Sequence, residues 1–220
     1  MQFQSLHAWD VTPKEAIAIQ ENLHGLIIRQ DRLGAINMVA GLDVGFEQDG
    51  KVTRAAVAVL SFPGLETQET AIARRPTSFP YVPGLLSFRE VPATLEALSQ
   101  LETTPDLLVC DGQGMAHPRR VGLACHLGLV CNLPSIGVGK SRLVGENEPV
   151  GEERGQRQPL MDGDELIGMV LRTRTGVKPV FVSIGDRVSL ERAVDIVLQC
   201  TPKYRLPEPI RQAHHLASAK

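Results

Sequence analysis

The stretch from Asp106 to Arg120 restricts the fold more than any other part of the chain. It reads Asp-Leu-Leu-Val-Cys-Asp-Gly-Gln-Gly-Met-Ala-His-Pro-Arg-Arg. The apolar run Leu107 to Cys110 is short and bounded by turn residues, which predicts a buried strand. Asp111 then stands at the carboxyl end of an inner strand, where open α/β sheets bind their ligands. Gly112 and Gly114 let the backbone turn sharply and approach a ligand closely. Taken alone, Asp-Gly also describes an Asp that caps a turn. A second acid in the same kind of setting, Asp43 within the apolar segment Met38 to Phe46, weighs against that simpler reading.

The segments around this strand predict a mixed sheet. Thr12-Pro13-Lys14-Glu15 is a helix start with a capping box and proline at the first helical position. The apolar face that follows extends the predicted helix to about Gln30, with a linker over 31–37. Met38 to Phe46, Ala55 to Phe62 and Glu66 to Ala73 read as three strands, the first two joined by an Asp49-Gly50 hairpin turn. Pro76 to Gly84 breaks regularity around Phe79 and Tyr81. A helix is expected over 87–101, interrupted near Pro92, then a helical stretch over 119–132 and a short strand over 134–138. The polar stretch 145–158 reads as a surface loop. Segments 164–173 and 178–184 form a hairpin around Thr175-Gly176. Ser189 caps a helix running to about Cys200, and the tail from Lys203 is basic and marked by prolines. Three antiparallel strands, then helix, strand, helix and strand, make an α/β fold: an antiparallel meander joined to parallel strands, with helices on both faces. We expect one domain over 1–220. If the first strand and the strand ending at Asp111 are parallel neighbours, Asp43 and Asp111 meet.

Composition narrows the partners. At 220 residues and 43% hydrophobic, the chain can bury a sizeable core. Its net charge of −2 means that a nucleic acid would be held by a local basic patch. The four cysteines form no Cys-x-x-Cys pair, which suits reduced, buried thiols in a cytoplasmic protein. The N-terminus lacks the pattern of a signal peptide. The apolar runs are too short to span a bilayer, so no membrane role is expected.

Two carboxylates at adjacent strand ends repel each other unless a cation lies between them. Oxygen ligands without a Cys or His cluster favour Mg²⁺ or Mn²⁺ over zinc. A magnesium ion shares its remaining positions with water and phosphate oxygens, which suits phosphodiester hydrolysis. Glu90, at the start of a helix beside the proline loop, is the third candidate acid; a solvated helix-terminal Glu is the alternative. Arg119, Arg120, Lys140 and Arg142 are the cations near these acids. Lys140 can meet a phosphate as a point charge, or be a solvated loop lysine. His117 can position a water or phosphate, or bond within its loop. Tyr81, stiffened in Pro80-Tyr-Val-Pro, can stack on or wedge between bases, or pack on its own loop.

These residues fall into motifs that closely resemble endonuclease V. The motifs are Gly41-Leu-Asp-Val-Gly-Phe, Arg74 with Pro80-Tyr-Val-Pro-Gly-Leu-Leu-Ser-Phe-Arg-Glu90, Asp111-Gly-Gln-Gly-Met-Ala-His-Pro-Arg-Arg, Pro134-Ser-Ile-Gly-Val-Gly-Lys140 and Tyr204-Arg-Leu-Pro-Glu-Pro-Ile-Arg. They run in order through nearly the whole chain. The resemblance implies a ribonuclease H-like fold. It implies cleavage of DNA at the second phosphodiester 3′ to hypoxanthine, leaving 3′-hydroxyl and 5′-phosphate ends. It makes Asp43, Glu90 and Asp111 the acids, with Asp43 and Asp111 as metal ligands, and Tyr81 the wedge. It places His117, Lys140 and His214 near the scissile phosphate, and Gly84, Leu86, Gly112 and Gly122 near a base pocket built largely from main chain. The expected partner is DNA carrying deaminated bases, bound by a monomer, with Mg²⁺ as cofactor and Mn²⁺ able to substitute. Cleavage of inosine-containing RNA is an open alternative. An actin- or sugar-kinase-like phosphotransferase and a non-catalytic nucleic-acid-binding protein are the rivals. The first is disfavoured by the short chain, the second by the presence of all three acids.

Overall fold

A computed structural model describes residues 1–218. Strands β1 (Met38–Glu47), β2 (Val52–Ser61) and β3 (Thr67–Pro76) form the antiparallel meander expected from the sequence. β4 (Leu107–Cys110) pairs in parallel with β1, and β5 (Ser135–Gly139) in parallel with β4. Three further strands, β6 (Arg157–Asp162), β7 (Glu165–Leu171) and β8 (Val180–Asp186), attach antiparallel through β8 to β5. The strand order is β3-β2-β1-β4-β5-β8-β7-β6.

Five helices complete the described chain: α1 (Pro13–His24), α2 (Leu86–Ser99), α3 (Leu123–Cys131), α4 (Leu190–Gln199) and α5 (Glu208–Ser218). The two-residue period of the strands divides the core between two faces. Val39, Leu107, Val109 and Ile136 pack with α4 and α5, whereas Ala40, Leu42, Leu108 and Cys110 pack with α2 and α3. This is the mixed sheet with helices on both faces that the sequence predicts. α1 lies outside α2 and α3, with Ala16 against Phe79, Leu85 and Phe88, and Leu23 against Met115 and Val121.

Several boundaries differ from expectation, each for a physical reason. The capping box of Thr12 and Glu15 is present, but α1 ends at His24 and does not reach Gln30. Beyond Gly25 the chain is drawn toward the end of β8: Ile28 N–H donates to Asp186 at 2.8 Å, and Arg187 N–H to Ile28 O at 2.7 Å. Helix α2 passes through Pro92 without interruption. Proline removes one backbone bond there, yet Val91 and Ala93 on either side are fully buried, and tertiary packing supplies most helix stability. Helix α3 starts at Leu123, not Arg119, because the preceding residues form a turn. The stretch read as loop to Gln158 contains the start of β6. This is an edge strand carrying Pro159, a place where a missing N–H does little harm. The basic tail forms α5, with Pro209 in its first turn, where backbone N–H groups have no intrahelical partner.

Candidate active site

The parallel pairing of β1 with β4 sets the acids side by side. Leu42 is registered with Cys110, and the Asp111 N–H donates to Leu42 O at 3.2 Å. The next residue on each strand is the acid. Burial pushes the Asp111 carboxyl above its ordinary range, and the neighbouring Asp43 charge adds to this, while Lys140 opposes it. Glu90, supplied by α2 and only 8% exposed, is raised further, to about 8. Burial is the main cause, followed by the charges of Asp43 and Asp111. The three acids therefore share one electrostatic neighbourhood.

Each aspartate has a cationic or ionisable partner. The Lys140 ammonium pairs with the Asp111 carboxylate. His214 Nδ1 lies 2.6 Å from Asp43 Oδ2. That second contact depends on α5 lying tightly along β1, and glycines permit it. A Cβ at Gly41 would fall 2.0 Å from the Pro209 carbonyl, and one at Gly45 would fall 2.7 Å from Ala217 O.

Among the described residues, no three His, Cys, Asp or Glu side chains are grouped as a metal cage. The donor set is two adjoining carboxylates with a third buried beside them. This matches the few carboxylates by which a hard cation is held when water and phosphate fill its other positions. The mutual repulsion of Glu90, Asp43 and Asp111 is what a divalent cation would relieve.

Beside the acids lies a cavity of about 240 Å³, below the ~300–1,000 Å³ of drug-sized sites and of a size for a small group. Its lining includes Tyr81, Gly84, Leu86, Gly112, His117, Gly122 and Lys140, and Asp111 lines it too. Thus all seven residues expected to contact substrate face one space. Tyr81 is 71% exposed, so it is not packed on its own loop. Gly84 has φ +79°, which favours glycine. Its carbonyl accepts from Gln20 Nε2 at 3.0 Å, His117 Nε2 at 2.9 Å and Arg119 Nη2 at 2.8 Å.

This network revises several sequence expectations. His117 Nδ1 accepts from the Arg119 N–H at 3.2 Å, so its proton is on Nε2 and is committed to Gly84. Burial, with help from Arg119 and Arg120, lowers its pKa to about 4. His117 is a neutral residue of the cavity lining, bonded within its own loop and to Gly84. Arg119 and Arg120, two of the cations expected near the acids, are both engaged by protein groups. Arg119 binds Gly84 O and Gln20, whereas Arg120 bonds Asp162 at 2.7 Å and Glu165 at 2.8 Å, tying down the β6–β7 turn. Gly114 is a packing glycine, since a Cβ there would lie 2.0 Å from Ile184 O.

Two residues near the site were not singled out in the sequence. Arg205 donates to Lys140 O at 2.6 Å and Pro179 O at 2.8 Å, bracing the loop that carries Lys140. Its place in the Tyr204-Arg-Leu-Pro motif was the available signal. Gln20 gave none beyond being a polar residue in an amphipathic helix.

Comparison with known proteins agrees with this geometry. A family model described as Endonuclease V matches residues 21–215. An Endonuclease V from Nostoc punctiforme is 58% identical over 221 residues, covering 100% of both chains. The crystal structure of Endonuclease V from Streptomyces avermitilis superposes with TM-score 0.90 at 46% identity, covering 96% of this chain and 93% of that one. Ciona intestinalis Endonuclease V was solved in complex with DNA containing an inosine followed by a ribo-adenosine. It superposes with TM-score 0.83 at 29% identity, covering 94% of this chain and 97% of that one. With the family model spanning most of its length and relatives this similar from end to end, the chain belongs to the endonuclease V family.

Proposed function

We propose that this protein nicks DNA beside deaminated bases. It takes a hypoxanthine turned out of the duplex into the cavity and hydrolyses the second phosphodiester 3′ to the lesion, leaving 3′-hydroxyl and 5′-phosphate ends. The observation that carries this reading is that Asp111 belongs both to the acid pair and to the cavity lining. A bound base and a phosphodiester of the same strand are therefore within reach of one another. The inosine-containing DNA held by the Ciona relative supports the substrate class.

Asp43 and Asp111 are the residues that would hold Mg²⁺, with Mn²⁺ able to substitute. When bound, such a cation supplies an activated water and stabilises the leaving oxygen. Glu90 completes the acid set. His214 anchors Asp43 through Nδ1. The Lys140 ammonium, now on Asp111, sits where a phosphate reaching the acids would meet a point charge. Tyr81 at the rim fills the gap left by the extruded base, and extrusion costs a few kcal/mol, least at a mismatch. Gly84, Leu86, Gly112, His117 and Gly122 enclose the base. The chain works as one domain and as a monomer. Its four buried free cysteines suit the cytoplasm.

The test is cleavage of matched inosine-containing single- and double-stranded DNA and RNA, with Mg²⁺ and with EDTA. Nicking of inosine DNA should require Mg²⁺. Asp43→Ala and Asp111→Ala should abolish it while duplex binding persists. Cutting by either variant at the wild-type rate would refute the metal assignment. The ribo-adenosine after the inosine in the Ciona complex favours one second reading, cleavage of inosine-containing RNA. Faster cleavage of the RNA substrates would select it.

A further inference from the structure

Helix α1 reaches the cavity through one side chain. Gln20 is 1% exposed, and both ends of its amide are engaged. Nε2 donates to Gly84 O and to Val121 O, each at 3.0 Å, and Oε1 accepts from Arg119 Nε at 2.6 Å. Gly84 and Gly122 both line the cavity, and Val121 directly precedes Gly122. Gln20 itself also borders the space. The other buried residues of α1 are Ala16 and Leu23. Simple packing would be served by an apolar residue at position 20, since burying an amide is costly unless it is bonded. Here the amide bridges two segments 37 positions apart in sequence (84 and 121) and fixes the arginine that also binds Gly84.

We propose that Gln20 is a positioning residue for lesion recognition. Its amide sets the separation and orientation of the Gly84 and Val121–Gly122 walls, so that the cavity is formed before the base arrives. Preorganised walls select a flat base of one shape, because widening them would break bonds already made. The inference rests on the function proposed above. It assigns specificity to a residue just outside the segment that the family model matches.

The experiment compares wild type with Gln20→Leu and Gln20→Glu. Binding is measured in EDTA by fluorescence polarisation, using a duplex with one inosine and the same duplex undamaged, and each protein's Tm is recorded. Gln20→Glu keeps the shape and the Arg119 contact but loses both donated bonds. The ratio of inosine to undamaged affinity should fall about tenfold or more in both variants, in line with the loss of two buried hydrogen bonds. Gln20→Glu should stay folded while losing selectivity, which a merely structural role would not produce. A ratio within about twofold of wild type in either folded variant would overturn the proposal, as it would amount to less than half a hydrogen bond. Unfolding of both variants would also overturn it, by showing that Gln20 only supports the fold. If wild type itself fails to prefer the inosine duplex, the proposed function fails, and this is seen before any variant is compared.

Discussion

Replacing Gly41 by alanine would drive a methyl group into α5. The added Cβ would lie 2.0 Å from the carbonyl carbon and oxygen of Pro209 and 2.6 Å from the Ile210 nitrogen. Non-bonded carbons sit about 3.5–4.0 Å apart, so strand and helix must separate by roughly 1.5 Å. All three obstructing atoms are backbone, and no rotamer change relieves the clash. Overpacking costs about 1–3 kcal/mol; a clash with three immovable backbone atoms belongs at the top of that range, and alanine returns at most about 1 kcal/mol by its lower chain entropy, leaving a net loss of about 2 kcal/mol. At about 2–4 °C per kcal/mol for a chain of this size, Tm should fall by about 4–8 °C. The same movement should lower activity, because α5 carries His214, now 2.6 Å from Asp43, and a hydrogen bond does not survive a stretch of about 1.5 Å. Thermal melting and a nicking assay on inosine DNA measure both effects. Gly25→Ala is the control: nothing lies within 4 Å of its Cβ and φ is −67°. A Gly41→Ala protein that melted within about 1 °C of wild type and nicked at the same rate would refute the packing argument.

His126, whose pKa burial lowers to about 3, should contribute one part of the pH dependence of stability. The folded state holds it neutral, so stability is full above the ordinary histidine pKa near 6.5 and declines as pH falls toward 3. At pH 5 the loss is about 2 kcal/mol. Urea titrations between pH 7 and 5 isolate this loss as the difference in slope between wild type and His126→Gln, since His117, lowered too, adds to the slope and Glu90, raised to about 8, opposes it. An unchanged slope would rule His126 out as a source. Tyr81→Ala should weaken binding of the inosine duplex by about 1–3 kcal/mol, the range for loss of one stacking platform, without moving the Mg²⁺ concentration for half-maximal nicking. A shift in metal requirement as large as the affinity loss would refute the wedge role. Arg120→Ala should loosen the β6–β7 turn, raising amide exchange at Glu165. Unaltered protection there would show that the turn is held by other contacts.

Much of the fold was legible because local signals agreed with the tertiary structure. Thr12 and Glu15 form their box, Asp49-Gly50 turns the hairpin, and four buried residues before Asp111 make an inner strand. The meeting of the acids followed from one assumption, parallel pairing of β1 with β4, which the register bears out. Elements were missed where tertiary contacts decide. β6 has little apolar alternation and exists through pairing with β7. In α5 the buried face consists of Pro209, Ile210, Ala213 and Ala217, too sparse among charges and prolines to stand out. The hidden bonds of the polar residues have a similar cause. Sequence places Arg119, Arg120 and His117 near the site, but does not show which groups they bond, Gln20, Glu165 and Gly84, which are distant in the chain.

The pairing of β1 with β4 also has a kinetic side. β1, β2 and β3 can zip up through short hairpin connections, whereas β4 must close a loop of about sixty residues before its contacts give any return. The acid site is completed across that slowest, most non-local pairing. Folding should therefore pass through a stage in which the meander is formed and the protein is inert. Recovery of nicking should lag behind recovery of strand signal, a delay set by contact order rather than by any chemical step.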